Sequence, residues 1–408
     1  MDDDFLARFR ERSAYETARE GPPDGFPKLP DLPLGRYTDP AFQELEHEHL
    51  FKRVWLYAGH DSELPVPGSY KLCDIVGAPI LLARDDDGQV RAFYNACRHR
   101  GAPVVRGECG QARMLVCQFH SWSYDLRGNL VRVPDERDFV GLQKEERALP
   151  SVRCEQWGGW WFVNLDPDAM ALLEWLAPLP DLLPEVAAAP LRMIDTKRVE
   201  LDCNWKILAE AFLEVYHART IHPKTVGPSL DTRGTVITLY DHGHQSMLSP
   251  VNRGTRNDNR EQLPVWEGAT SVFLDDIQPA HGIFPNLITP LDARGFPFLV
   301  FWPLAIDRTR LDIIWFATDW GDGEQPEDHK AIWAQRLTRF DAVMDEDYEN
   351  LGPIQRSMES AAHGGQAINY QERRIWHVQA WIDKIIGRER IPEHLQVPDL
   401  LAAWVEHP

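Results

Sequence analysis

The sequence predicts an α+β chain, with a small all-β domain followed by a larger domain in which an antiparallel sheet is flanked by helices. Three observations carry this. Between Trp55 and Asn164, short β-like runs alternate with turn residues. An acidic, proline-rich connection follows Asp166-Pro167. Beyond it, strand-like runs are interspersed with apolar-periodic stretches too long to be strands.

Residues 1–46 form an N-terminal arm in which a charged, helix-like stretch leads into the Pro/Gly-rich segment Gly21–Pro33. A helix is expected near Pro40–Arg53. Residues 47–166 form the small domain, with strands at Val54–Ala58, Tyr70–Ile75, Ile80–Arg84, Val90–Asn95, Met114–Gln118 and Trp160–Asn164. Asp85-Asp86-Asp87-Gly88 is a hairpin turn between two of them. Residues 167–408 form the larger domain. Its strands are expected at Thr196–Leu201, Val236–Leu239, Ser271–Leu274, Phe298–Trp302 and Leu311–Ala317. Helices are expected at Trp205–Tyr216, Glu327–Glu349 and Tyr370–Ile385. No internal repeat or low-complexity segment interrupts the chain.

With 408 residues, 43% hydrophobic and 26% charged, the composition is that of an ordinary globular protein with ample core. A net charge of −20 argues against nucleic acid as a partner, because phosphate binding needs basic patches. The same charge permits steering of a basic protein, or simply keeps the chain in solution. No apolar run reaches the roughly eighteen residues that suggest a membrane span, so no membrane partner is expected. The acidic start Met-Asp-Asp-Asp lacks the apolar segment of a secretory signal. Six cysteines in a chain this long do not make a disulfide scaffold. Cys73, Cys109, Cys154 and Cys203 are expected to be free, buried thiols, and the compartment a reducing cytoplasm.

The chemistry concentrates in two places. In the first, Cys97-Arg98-His99 is followed after seventeen residues by Cys117-Gln118-Phe119-His120. Four metal-ligating side chains can therefore converge from two loops, expected to be hairpin tips. Zinc uses the same donors, but its sequence frames pair Cys with Cys and His with His. The alternating order, with the flanks Asn95–Gly101 and Cys117–Tyr124, resembles the Rieske [2Fe–2S] site. There two imidazoles replace two thiolates on one iron and raise the potential by roughly several hundred millivolts.

The second place begins at Asn204-Trp205-Lys206. In the helix expected over Trp205–Tyr216, Glu210, Glu214 and His217 stand at i, i+4 and i+7 and share one face. Inward-facing carboxylates are costly unless compensated, and a cation would compensate them. His222 precedes Pro223, which pushes it out of the helical region and lets its side chain swing back toward His217. Taken alone, the pair could be two surface histidines at a helix end. A carboxylate should complete the set, because two histidines and one carboxylate suit non-haem Fe(II) with open positions. Four acids compete in Met344-Asp345-Glu346-Asp347-Tyr348-Glu349. Met344, Asp347, Leu351, Ile354 and Met358 form one apolar stripe, with its phase secure as far as Leu351 because Gly352-Pro353 can break the helix. Asp347 is the only acid on that stripe; Asp345, Glu346 and Glu349 are expected on a solvated face.

Together these blocks, in their order, make the chain resemble the α (oxygenase) subunits of Rieske non-haem iron ring-hydroxylating oxygenases. The resemblance runs from about Phe51 through the C-terminal helices and includes Glu346-Asp347 followed by Gln355-Arg356. It implies that Cys97, His99, Cys117 and His120 bind the [2Fe–2S] cluster, and that His217, His222 and Asp347 bind a mononuclear Fe(II). It implies a terminal oxygenase that takes NAD(P)H electrons through a separate flavin- or ferredoxin-type reductase. With O2 it would hydroxylate or oxidatively demethylate a small, aromatic substrate. It also implies a homotrimer, with or without a β subunit, in which Glu214 accepts a hydrogen bond from a neighbour's His120 and holds His217 on its own side.

The chain departs from the family at one position. The family generally places aspartate where Glu214 stands, and glutamate occurs in a branch that includes carnitine and glycine betaine oxygenases. A quaternary-amine monooxygenase is therefore the alternative, with an aromatic box holding the ammonium group; fifteen tryptophans allow either substrate. Ile283–Pro290, Phe298–Trp302, Leu208 and Phe212 are expected to line the pocket. A Rieske electron carrier without oxygenase activity is a further reading, against which the second metal set argues.

Overall fold

The computed structural model describes residues 3–252, 259–269, 277–360 and 363–407. The chain divides into two compact units, residues 51–175 and residues 1–50 with 176–408.

Residues 51–175 are almost entirely β. Strands β1 (Leu56–His60), β2 (Ser69–Ile75), β3 (Ala78–Arg84), β4 (Val90–Tyr94), β5 (Cys109–Gln111), β9 (Ser151–Trp157) and β10 (Trp160–Asn164) form an antiparallel sheet in the order β1-β10-β9-β4-β3-β2-β5. Strands β6 (Leu115–Val116), β7 (Ser123–Tyr124) and β8 (Leu130–Arg132) form a second, smaller sheet. The acidic turn behaves as expected: the buried Asp85 carboxylate accepts the N–H groups of Asp87 and Gln89, and Gly88 takes φ +80°. A core of Leu81, Phe93, Val104, Leu115, Trp122, Tyr124 and Leu130 also contains Cys97 and Cys117.

The boundary expected at 166 falls later, because residues 166–175 belong to this unit. Trp55 Nε1 donates to the Met170 carbonyl at 3.0 Å, and Glu155 accepts the Leu172 N–H at 2.8 Å, where helix α4 (Leu172–Trp175) begins.

The larger unit is built on a seven-stranded antiparallel sheet. It contains β11 (Leu191–Leu201), β12 (Val236–Leu239), β13 (Gln245–Pro250), β14 (Ile277–Ile283), β15 (Leu287–Pro290), β16 (Gly295–Ala305) and β17 (Arg308–Thr318), in the order β11-β17-β16-β15-β14-β13-β12. The expected strand Ser271–Leu274 lies outside the described residues. Phe296–Trp302 is buried throughout, as its unbroken apolar run requires of a strand covered on both faces.

The helices of this unit are α1 (Asp3–Ala18), α2 (Gly35–Thr38), α3 (Pro40–Glu46), α5 (Leu179–Leu182), α6 (Pro184–Ala187), α7 (Trp205–Ala211), α8 (Ala218–Ile221), α9 (Glu327–Met358) and α10 (Arg373–Ile386). After α3 the chain continues as a π-helical turn, His47–Phe51. Helix α9 runs on through Pro353, which sits on its exposed side where water can satisfy the freed carbonyl. Its buried face is Met344, Asp347, Leu351, Gln355 and Met358; Ile354, expected on that face, is exposed.

The single helix expected over Trp205–Tyr216 does not form. Helix α7 stops at Ala211, the chain loops through Leu213–Tyr216, and α8 resumes at Ala218. Glu210 consequently leaves the face of Glu214 and His217. It is held instead by Tyr37 Oη at 2.8 Å, Gln379 Nε2 at 2.6 Å and Gln366 Nε2 at 3.3 Å. Asn204 caps α7 by accepting the Lys206 N–H, and Lys206 and Trp205 both donate to the buried Glu46 of α3. That motif is therefore an anchor for the helix that leads to His217 and His222. The free thiols are less uniformly buried than expected: Cys203 is buried, Cys73 and Cys154 are half-buried, and Cys109 is exposed.

Candidate cluster and metal sites

The four residues expected to hold the cluster lie on two loops of like construction. In the first, Cys97 N–H donates to the Ala102 carbonyl and Gly101 N–H donates back to Cys97; in the second, Cys117 N–H donates to Trp122 and Ser121 N–H donates back to Cys117. The fifth residue of each, Gly101 (φ +77°) or Ser121 (φ +57°), turns left-handed to close the loop. Only the second loop is a hairpin tip, between β6 and β7. The first joins β4 to β5, which pair with different strands, so the expectation of two tips is corrected. Asn95 closes the first loop by accepting the N–H groups of Val104 and Val105 and donating to the Val105 carbonyl.

Both cysteines are buried, and the rings of His99 and His120 stand 4.6 Å apart, centroid to centroid. His99 is half-buried and stacks on Trp122 at 4.9 Å, whereas His120 is exposed. Burial raises the Cys97 thiol pKa, and the adjacent Cys117 raises it further; the bond to Tyr124 works in the opposite direction. Tyr124 was not singled out from the sequence. Its hydroxyl accepts the Arg98 N–H at 2.9 Å and lies 3.3 Å from Cys97 Sγ, to which it donates when that sulfur is a thiolate.

The second set assembles from three elements. His217 precedes α8 and His222 ends it, at φ −110° and ψ 44°, outside the helical region as its proline neighbour requires. Asp347 comes from the buried face of α9. One ligating atom from each lies within 4.8 Å of the other two. Asp347 Oδ1 is 3.1 Å from His222 Nε2 and 3.7 Å from His217 Nε2. Each histidine has its other nitrogen on a second carboxylate: His217 Nδ1 on Glu214 Oε1, and His222 Nδ1 on Glu346 Oε2 at 2.7 Å. Both Nε2 atoms are thus turned inward, the arrangement in which carboxylate–histidine pairs serve metals.

Burial opposes protonation of both histidines, but these carboxylates outweigh it and raise both pKa values in the metal-free chain. The expectation that Glu346 belongs to a solvated face is overturned. The motif block Glu346-Asp347 named it without a role; in the structure its carboxylate also accepts the Thr225 hydroxyl at 2.6 Å. Arg374 was also missed. It is fully buried behind the Leu213–Tyr216 loop, with Gln245 Oε1 at 2.9 Å and the Phe212 carbonyl at 3.5 Å. Burial pushes its pKa down to about 9, opposed by the charge of Glu214.

Ile283, Pro285, Leu287 and Ile288 line a cavity of about 10 Å³, room for about one water, with Lys206 and Glu210 in its other walls. Leu208, Phe212 and Phe298–Trp302 do not border it.

Two family profiles match this chain. The Rieske [2Fe–2S] domain matches residues 54–152, and the catalytic domain of the ring-hydroxylating alpha subunit matches residues 189–388. The chain belongs to the Rieske oxygenase α-subunit family. Among its relatives is the biphenyl 2,3-dioxygenase alpha subunit of Rhodococcus jostii, 36% identical over 243 residues. That match spans 58% of this chain and only 50% of the relative. The glycine betaine monooxygenase oxygenase subunit of Chromohalobacter salexigens is 26% identical over 395 residues, 88% of this chain and 86% of the relative.

Solved Rieske oxygenases share the fold. The quaternary ammonium monooxygenase CntA superposes with a TM-score of 0.76 at 22% identity, covering 91% of this chain and 100% of that one. Naphthalene 1,2-dioxygenase from Rhodococcus sp. does so at 0.74 and 21%, covering 95% and 99%. The cofactors of a Rieske oxygenase α subunit are a [2Fe–2S] cluster and a mononuclear iron. The donor chemistry fits both groups: paired buried thiols with adjoining imidazoles in one unit, and two imidazoles with one carboxylate in the other.

Proposed function

We propose that the chain is the terminal oxygenase component of a multi-protein system. It would use O2 and reductase-supplied NAD(P)H electrons to hydroxylate or oxidatively demethylate a small aromatic substrate. The observation that carries this is the convergence of His217, His222 and Asp347 with both Nδ1 atoms already engaged. A protein that only carried electrons would need no second metal set.

In this reading Cys97, His99, Cys117 and His120 hold the cluster, and His217, His222 and Asp347 hold the iron. The iron, when bound, supplies O2 activation at coordination positions the three side chains leave open. The residues of the chain prepare that site. Glu214 and Glu346 keep the protons of the two imidazoles on Nδ1, so that Nε2 is free as a donor. The exposed His120 is the cluster residue best placed to meet a neighbour. In a homotrimer, with or without a β subunit, it would donate to a neighbouring subunit's Glu214, whose other contacts are local.

A second reading, oxidation of a quaternary amine, is favoured by Glu214 itself and by the match along most of the glycine betaine monooxygenase subunit. Oxygen uptake with a reductase and NADH, across aromatic acids, aromatic ethers and betaines, tests both. Uptake stimulated by the aromatics supports the first reading, and stimulation by betaines alone supports the second. Uptake indifferent to every substrate would remove both.

A further inference from the structure

We infer that Glu346 is the positioning residue for His222, gripping the imidazole from the side opposite Asp347. The inference rests on the reading of His222 as an iron ligand. Consecutive residues of α9 take the two nitrogens of one ring: Glu346 Oε2 lies 2.7 Å from Nδ1, and Asp347 Oδ1 lies 3.1 Å from Nε2. Neighbouring positions on a helix point about 100° apart, so one turn of backbone can flank the ring on both edges.

The same Glu346 oxygen accepts the Thr225 hydroxyl at 2.6 Å, which fixes the carboxylate at two points. His222 needs this outside help. It stands where α8 ends, its side chain is 4% exposed, and no other residue among those described bonds its Nδ1. Its backbone is held separately, by Gly227 N–H donating to its carbonyl at 3.0 Å. That contact leaves no room for a side chain, since a Cβ on Gly227 would stand 2.5 Å from the His222 oxygen.

The two histidines therefore differ in how they are held. Glu214 is on the same loop as His217 and orients it locally. Glu346 reaches His222 from a helix more than a hundred residues away in sequence. Metal affinity at His222 thereby depends on α9 being docked, and Glu346 couples the two. Oriented in this way, the ring presents Nε2 in one tautomer, and the adjacent carboxylate increases its basicity.

The test uses the full chain with its cluster, stripped of mononuclear metal and titrated with Co(II), read by the visible absorption of the bound ion. Glu346→Ala should weaken Co(II) binding about 10- to 100-fold and change its spectrum, with the cluster absorption intact. Glu346→Gln, which can still offer an oxygen to Nδ1, should restore most of the affinity. Thr225→Val should weaken binding by a smaller factor. Wild-type affinity and spectrum in Glu346→Ala would overturn the inference, as would a lowered melting temperature with unchanged affinity. His222→Ala separates this from the reading beneath it. If that variant loses the Co(II) site while Glu346→Ala keeps it, only the role of Glu346 falls; if both keep it, the ligand assignment falls as well.

Discussion

The carboxylate of Glu214 grips His217 at two places, taking the imidazole Nδ1 on one oxygen and the backbone N–H, at 3.1 Å, on the other. The second oxygen also accepts the Tyr216 N–H, so the side chain shapes its loop while it aims the ring. A carboxylate with this many local donors is held firmly, yet Oε1, which takes only the imidazole, retains a lone-pair direction for a further donor.

Glu214→Gln should keep both metals and lose most turnover, by about 10- to 100-fold. The amide keeps the size of the side chain but offers only one acceptor oxygen. Iron and sulfide content with steady-state oxygen uptake would check this. Full activity in the variant would remove the bridging role.

His217→Ala and Asp347→Ala should each abolish mononuclear iron while leaving the cluster colour unchanged. The two donor sets are built in separate compact units, from unrelated elements. Iron per chain and visible absorption would be measured together. Loss of colour along with the iron would show that the two sites are not independent.

Tyr124→Phe should lower the midpoint potential of the cluster. A cluster-bound Cys97 would be a thiolate with no proton, so the Tyr124 hydroxyl 3.3 Å away would be the donor, and a donor to a cluster sulfur favours the more negative, reduced state. Redox titration followed by absorption would show the shift. An unchanged potential would mean that the hydroxyl contributes only through its bond to the Arg98 N–H.

Stability should fall as pH rises from about 4.5 to 7, and Glu210 is one cause. Burial lifts its pKa from 4.5 to about 7, against the hydrogen bonds of Gln379 and Tyr37, which lower it. In that window the unfolded chain has released this proton and the folded chain retains it, so raising the pH disfavours the fold. A shift of that size corresponds to up to about 3 kcal/mol. Urea melts at several pH values would show the Glu210 contribution to the slope disappearing in Glu210→Gln. A slope unchanged by that substitution would place the cause elsewhere.

The apolar rhythm of the chain was enough to predict an antiparallel sheet with flanking helices and a small β unit before it. Local marks also singled out two of the candidate ligands, His222 by the proline after it and Asp347 as the single acid on an apolar stripe, whereas His217 rested on a helix face that does not form. Periodicity failed where helix-compatible residues continued past the end of a helix. Nothing in Ala211–Tyr216 forbids a helix, and so Glu210 was assigned to the wrong face. Its true partners, Tyr37, Gln366 and Gln379, lie more than 150 residues away.

The sequence by itself determined which residues could serve as donors, since ligand chemistry belongs to residue type and spacing. Only the tertiary structure decided what supports those donors. Glu346 and Thr225 at His222, Tyr124 at Cys97 and Arg374 behind the Glu214 loop became visible only there. The physical reason is the range of the interactions: helical phase and proline restriction act over a few residues, whereas a buried hydrogen bond forms wherever packing brings two polar groups together.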